Sequence, residues 1–166
     1  MRTILQWLSP SGNRARLSIL IFHRVLAQPD PLFPHEVHAA RFDRLCSWLA
    51  RDYNTLPLNE AVRRLREGKL PARALCITFD DGYADNLSIA TPILKQHGLP
   101  ATFFVATGFL DGGRMWNDTV VEAIRSTRHD ELDLEELQLS GVARVSCNDV
   151  EARRTAIGKL LGAAKY

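Results

Sequence analysis

Three short apolar runs constrain this chain more than any other feature: "RLSILIF" ending at Phe22, "ALCITF" ending at Phe79, and "LPATFFVAT" beginning at Leu99. Each is rich in branched or aromatic residues and lacks polar alternation, the character of strands buried on both faces. The segments between them have helical spacing. Strand, helix, strand in this rhythm is the pattern of parallel βα units, so the chain is read as α/β. The first strand is placed at Leu17 to Phe22, the second at "ALCITF", and the third from Leu99 to Gly108.

Between these strands, "AQPDPLFP" carries three prolines and reads as a loop. Val37, Phe42, Leu45, Trp48 and Leu49 then recur at helical spacing, which predicts a helix from about His35 to Arg51. "NTLPL" is a short extended piece. Asn59 is suited to cap the following "EAVRRLREG", whose Gly68 sits where a helix stops. "ADNLSIATPILKQHG" predicts a helix closed by Gly98, kinked or restarted at Pro92 with Thr91 as a local cap. Beyond the loop "DGGRMW", Asn117 or Asp118 is placed as the cap of "TVVEAIRS". Ser140 and Gly141 are suited to turn a small hairpin. Asn148, with Glu151 three residues on, resembles a capping box that opens a last helix through Val150, Ile157, Leu160, Leu161 and Ala164. The sequence stops inside that amphipathic pattern, which leads to the expectation that the parent gene continued.

A length of 166 residues fits one domain that can bury a core without a metal or disulfide. The net charge of +2, with Lys and Arg scattered among acids, is too small to imply a nucleic-acid footprint, and no nucleic-acid partner is expected. Cys46, Cys76 and Cys147 lie far apart and form no metal-ligand spacing, so buried free thiols are expected. The N-terminus does not read as a secretory signal, and the longest apolar run, Ile19 to Phe22, is too short to span a membrane. A cytoplasmic location is the expectation.

Chemistry concentrates in "CITFDDGYADN", where two aspartates stand side by side as a buried strand ends. Like charges this close cost stability unless a cation, a proton or a hydrogen-bond network compensates them. Groups at the C-terminal edge of a parallel sheet converge on one mouth, and His23, Asp80, Asp81, Thr107 and Gly108 all fall at that edge. Successive side chains diverge, so one carboxylate can ligate a divalent metal while its neighbour deprotonates a water. The same residues also suit a simple turn or helix cap. A haloacid-dehalogenase-type phosphatase would need a spacer between its aspartates, where here Gly82 takes the place of the second. A receiver domain would need its acidic pair after the first strand. Both fit badly.

"ITFDDGY", with "FHRV" before it and "ADN" and "PILKQHGLPATFFVATG" after it, resembles polysaccharide deacetylases of the NodB-homology type, carbohydrate esterase family four. The likeness runs from about Leu17 to Gly108, and Thr78 to Gly82 is the family's first motif in full. "RMWND", Arg114 to Asp118, is similar to a segment of exopolysaccharide-associated members. The resemblance implies a distorted (β/α) barrel, here partial, that hydrolyses N-acetyl groups on amino-sugar polysaccharide with a divalent metal, zinc or else cobalt or nickel. It implies Asp80 as catalytic base, Asp81 as metal ligand, and His23 and Tyr83 as substrate-binding residues. Residues 1–16 would be an N-terminal extension and 17–166 a C-terminally incomplete deacetylase domain. Relatives that act on exported polysaccharide would work in the periplasm or outside the cell.

The family's His-Ser/Thr-x-x-His motif is absent, as are its later Arg-Pro, Asp-Trp and Leu-x-His segments. His35 and His38 in "HEVH" have a legitimate ligand spacing, but at the start of a helix after a proline-rich loop they read as exposed polar residues. Two expectations follow: a deacetylase whose other ligands lie in a further segment or a partner, or a non-catalytic remnant with some glycan affinity. An incomplete barrel would leave sheet edges open to self-association.

Overall fold

The computed structural model describes residues 9–164. Residues 1–8 of the expected N-terminal extension lie outside the described residues. The chain divides into two compact units: Met1–Pro29 with His35–Ala106, and Asp30–Pro34 with Thr107–Tyr166. No helix among the described residues is long and apolar enough to cross a membrane.

The first unit is an α/β layer of parallel strands. Its strands are β1 (Leu17–Phe22), β2 (Asn54–Thr55), β3 (Ala74–Phe79) and β4 (Thr102–Phe103), and its helices are α1 (Ala39–Asp52), α2 (Leu58–Arg66) and α3 (Thr91–Gln96). β3 is central: β1 pairs along its whole length, from Leu17 opposite Ala74 to Phe22 opposite Phe79. On the other side β2 pairs at Ala74 and Leu75, and β4 at Thr78 and Phe79. Among the described residues the sheet is open and does not close into a barrel.

Every residue of β3 is buried, as its unbroken apolar run predicts. Leu75, Ile77 and Phe79 pack against Phe42, Cys46 and Leu49 of α1 and against Ala90 and Leu94. The opposite face seats Ala74 and Cys76 against Ala61 and Leu70, with Leu17, Leu56 and Leu58 beside them. Phe79 stacks on Phe22 at 5.3 Å and on Phe103 at 4.9 Å, and meets Phe42 edge to face at 5.9 Å. β1 differs: Ile19 and Ile21 are 46% and 61% exposed. Its apolar run predicts burial on both faces, but among the described residues β1 pairs with β3 alone and the face carrying Ile19 and Ile21 is left open.

Several boundaries depart from the sequence reading. The first helix begins at Ala39 rather than His35, after an isolated parallel bridge between Leu26 and His38. Asn59 lies inside α2, where its side-chain oxygen accepts the next residue's N–H, and Pro57 is the cap position. Gly68, at φ +64°, does follow the end of α2. Before Pro92 the chain makes a π-turn over Asn86–Ala90, then continues as α3. The wider turn relieves the collision of the proline ring with the carbonyl four residues earlier. Thr91 therefore does not cap; its hydroxyl donates to the Asn86 carbonyl at 2.8 Å. The third strand covers only Thr102–Phe103; Phe104 still donates its N–H to β3, and its side chain and that of Val105 are half exposed.

The second unit carries α4 (Trp116–Ser126), the antiparallel pair β5 (Glu131–Asp133) and β6 (Arg144–Ser146), and α5 (Val150–Ala163). The expected hairpin is present, with Gly141 at φ +73° in its connection. Met115, not Asn117 or Asp118, precedes α4 at the cap position. Asp149, not Asn148, caps α5 by accepting the Ala152 N–H at 2.8 Å. Leu32, Ile124, Val142, Val145, Cys147, Ala156, Ile157 and Leu160 form its core. The Arg153 guanidinium donates to the Ile124, Arg125 and Thr127 carbonyls, satisfying groups that the end of α4 leaves unpaired, and to the Cys147 carbonyl just past β6.

Candidate active site

The acidic pair follows β3 directly. The Asp80 N–H donates to the Phe22 carbonyl at 2.8 Å, extending the β1–β3 ladder by one rung and bringing the ends of both strands together. The backbone then reverses within three residues. The Gly82 N–H donates to the Asp80 carbonyl at 2.9 Å, and Asp81 between them has φ +70°, which is a γ-turn of the strained, positive-φ kind. Aspartate tolerates this region better than most residues, but a non-glycine residue held there is a constraint the surroundings must impose.

Those surroundings are the end of β4. The Phe104 N–H donates to the Phe79 carbonyl at 2.8 Å, and the Ala106 N–H to the Asp81 carbonyl at 3.2 Å. Gly82 has φ +75°, and a Cβ there would come 2.8 Å from Val105 Cγ1. Glycine is required twice over, by the backbone angle and by the close approach. The acidic turn is thus held against residues 104–106, with Asp80 and Asp81 both half-buried and Gly82 open to solvent.

His23 lies one residue past β1 and is exposed. Tyr83 is half-buried directly after the acidic turn, and the Arg24 guanidinium lies over its ring at 4.6 Å from the centroid. Arg24 Nε donates to Asp85 Oδ2 at 2.9 Å, and the Val25 N–H to Asp85 Oδ1 at 3.4 Å. Sequence reasoning did not single out Arg24 or Asp85, although both lie in the quoted "FHRV" and "ADN" segments. A cation just beyond one strand end and a spare carboxylate just beyond the other was the available signal. Thr107 and Gly108 lie in a 3-10 turn, Thr107–Phe109, at the start of the second unit. His38 precedes α1, and its carbonyl accepts the Arg41 and Phe42 N–H groups of that helix.

A catalytic zinc usually takes three protein ligands. No group of three His, Cys, Asp or Glu side chains that could hold an ion is present among the described residues. Asp80, Asp81 and His23 therefore do not make a complete metal centre. The residues here fit one donor to an ion and one base beside it, and no more. The three cysteines are buried free thiols, as expected. Burial, with Asp43 nearby, pushes the Cys46 thiol up to about 12.

Residues 67–138 match the family model described as polysaccharide deacetylase. The chain is 37% identical over 93 residues to YxkH of Bacillus subtilis, whose name places it provisionally among polysaccharide deacetylases; the match covers 55% of this chain and 32% of that protein. It is 36% identical over 75 residues to the poly-beta-1,6-N-acetyl-D-glucosamine N-deacetylase of Staphylococcus aureus, covering 45% of this chain and 26% of that one. Among solved structures, Streptococcus pyogenes deacetylase PplD in complex with acetate aligns with a TM-score of 0.53 and 26% identity, over 66% of this chain and 52% of that chain. The chain thus spans about a third or less of the curated relatives it matches. The resemblance carried by the acidic motif is borne out, and the open parallel sheet with flanking helices is part of the fold those deacetylases have.

Proposed function

We propose that this chain, whose residues 67–138 match the polysaccharide deacetylase model, supplies the acidic part of a site that hydrolyses N-acetyl groups on an amino-sugar polysaccharide. The observation that supports this most is the strained turn: Asp81 is held at φ +70° between a hydrogen-bonded γ-turn and the end of β4. A solvated cap or an ordinary turn has no need of such a constraint, whereas a pair of carboxylates with separate tasks has to be held in place.

Asp80 is the general base. It takes a proton from a water whose oxygen forms a bond to the acetamide carbonyl carbon; the carbon–nitrogen bond then breaks, acetate leaves, and the sugar nitrogen takes up a proton as the free amine. Asp81 is one ligand of a divalent ion, zinc or else cobalt or nickel, whose further donors would come from outside the described residues. His23 and Tyr83 contact the sugar. The substrate class is N-acetylated exopolysaccharide, in keeping with the Staphylococcus aureus relative's name. Residues 17–166 make up the deacetylase portion, preceded by an extension.

A second reading, a glycan-interacting module that does not hydrolyse, is favoured by the want of a third metal donor among the described residues. Acetate release from N-acetylglucosamine oligomers in the presence of zinc separates the two. The deacetylase reading predicts slow release that Asp80→Asn removes while leaving the fold intact. Oligomer binding with no release supports the module instead, and equal release by wild type and Asp80→Asn contradicts the assignment of the base.

A further inference from the structure

Asp85 lies four residues beyond Asp81, with its side chain only 13% exposed. A carboxylate this shielded needs partners for both oxygens, and both come from the end of β1: Arg24 Nε on Oδ2 and the Val25 N–H on Oδ1. The guanidinium held in this way lies over Tyr83, 4.6 Å from its ring centroid. Arg24 is the residue after His23, and Tyr83 is the second residue after Asp81. One ion pair therefore joins the turn that carries His23 to the turn that carries Asp80, Asp81 and Tyr83.

The Arg24 side chain is 42% exposed, and a pair so open to water adds little to global stability. What it adds is geometry. A guanidinium fixed through Nε has a defined plane, and that plane sets where the aromatic ring beneath it can lie. We propose that Arg24 and Asp85 are positioning residues of the sugar-binding surface, holding Tyr83 and His23 in register with the acidic turn. This rests on the reading of His23 and Tyr83 as sugar contacts.

The test uses the full chain and a soluble trimer of N-acetylglucosamine, with affinity measured by calorimetry and the Tyr83 ring signals followed by NMR. Arg24→Ala and Asp85→Asn should each weaken binding by about tenfold, the scale of one charge-assisted hydrogen bond. The double variant should bind no more weakly than either single one, because both remove the same brace. Arg24→Lys keeps the charge but not the plane; it should also weaken binding and shift the Tyr83 signals, with the thermal midpoint close to wild type. Variants that bind as wild type does, or whose losses multiply in the double variant, overturn the inference alone. A wild-type chain that does not bind the trimer overturns the reading of His23 and Tyr83, and the inference with it.

Discussion

β1 and β3 lie side by side in register, have the same length and similarly apolar sequences, and end at the same edge of one sheet. Yet all of β3 is buried, while Ile19 and Ile21 of β1 are 46% and 61% exposed. The difference lies in the neighbours. β3 has strands on both sides and a hydrophobic cluster on each face, whereas β1 has one strand partner among the described residues. The loops that follow differ in the same way. The turn after β3 is held by the backbone of residues 104–106 and by Val105 against Gly82, while the turn after β1 is tied to it through the Asp80 N–H and the side chain of Asp85. Backbone strain collects where packing is dense enough to impose it.

Four measurements test this difference between the two strands. The largest effect is expected from Phe79→Ala at the end of β3, which removes a ring stacked on both Phe22 and Phe103. A loss of about 3–5 kcal/mol by denaturant unfolding is predicted; a loss as small as that of a β1 variant would break the comparison. Next is Gly82→Ala, strained in backbone and only 2.8 Å from Val105 Cγ1. It should cost about 1–3 kcal/mol, part of which Val105→Ala added to it should return, by relieving the contact but not the φ.

Thiol chemistry gives a third comparison, since Ile19 and Cys76 are register partners. Burial pushes the Cys76 thiol above its ordinary range. Ile19→Cys should label readily with a maleimide while Cys76 labels only after unfolding. The unfolded chain releases these thiol protons near the ordinary value, and the folded chain holds them. Stability should therefore be full below about 9 and fall as pH rises toward about 12, the window given by Cys46. The smallest effect is expected from Ile21→Ser, within about 0.5 kcal/mol of wild type; a loss comparable to that of Phe79→Ala would show that something covers β1 in solution.

Much of this was legible in the sequence. The bounds of β1 and β3 follow from "LSILIF" and "ALCITF", and the acidic turn from two aspartates and a glycine at a strand end. Other features depend on tertiary context. "ATFFV" has the composition of a buried strand, but only Thr102 and Phe103 pair, and Val105 lies beside Gly82. Asn148 and Asp149 are both good caps by chemistry, and backbone geometry selects Asp149. Arg24 and Asp85 are separated by 60 residues of sequence and become a pair only once β1 and β3 are in register.

We propose that a divalent cation binds at the end of β3 rather than at the end of β1. Calorimetric titration of zinc into the wild-type chain, Asp81→Asn and His23→Ala tests it most directly. The expected result is weak binding that Asp81→Asn abolishes and His23→Ala leaves nearly unchanged. Zinc binding that survives Asp81→Asn, or that is lost only with His23→Ala, would contradict it.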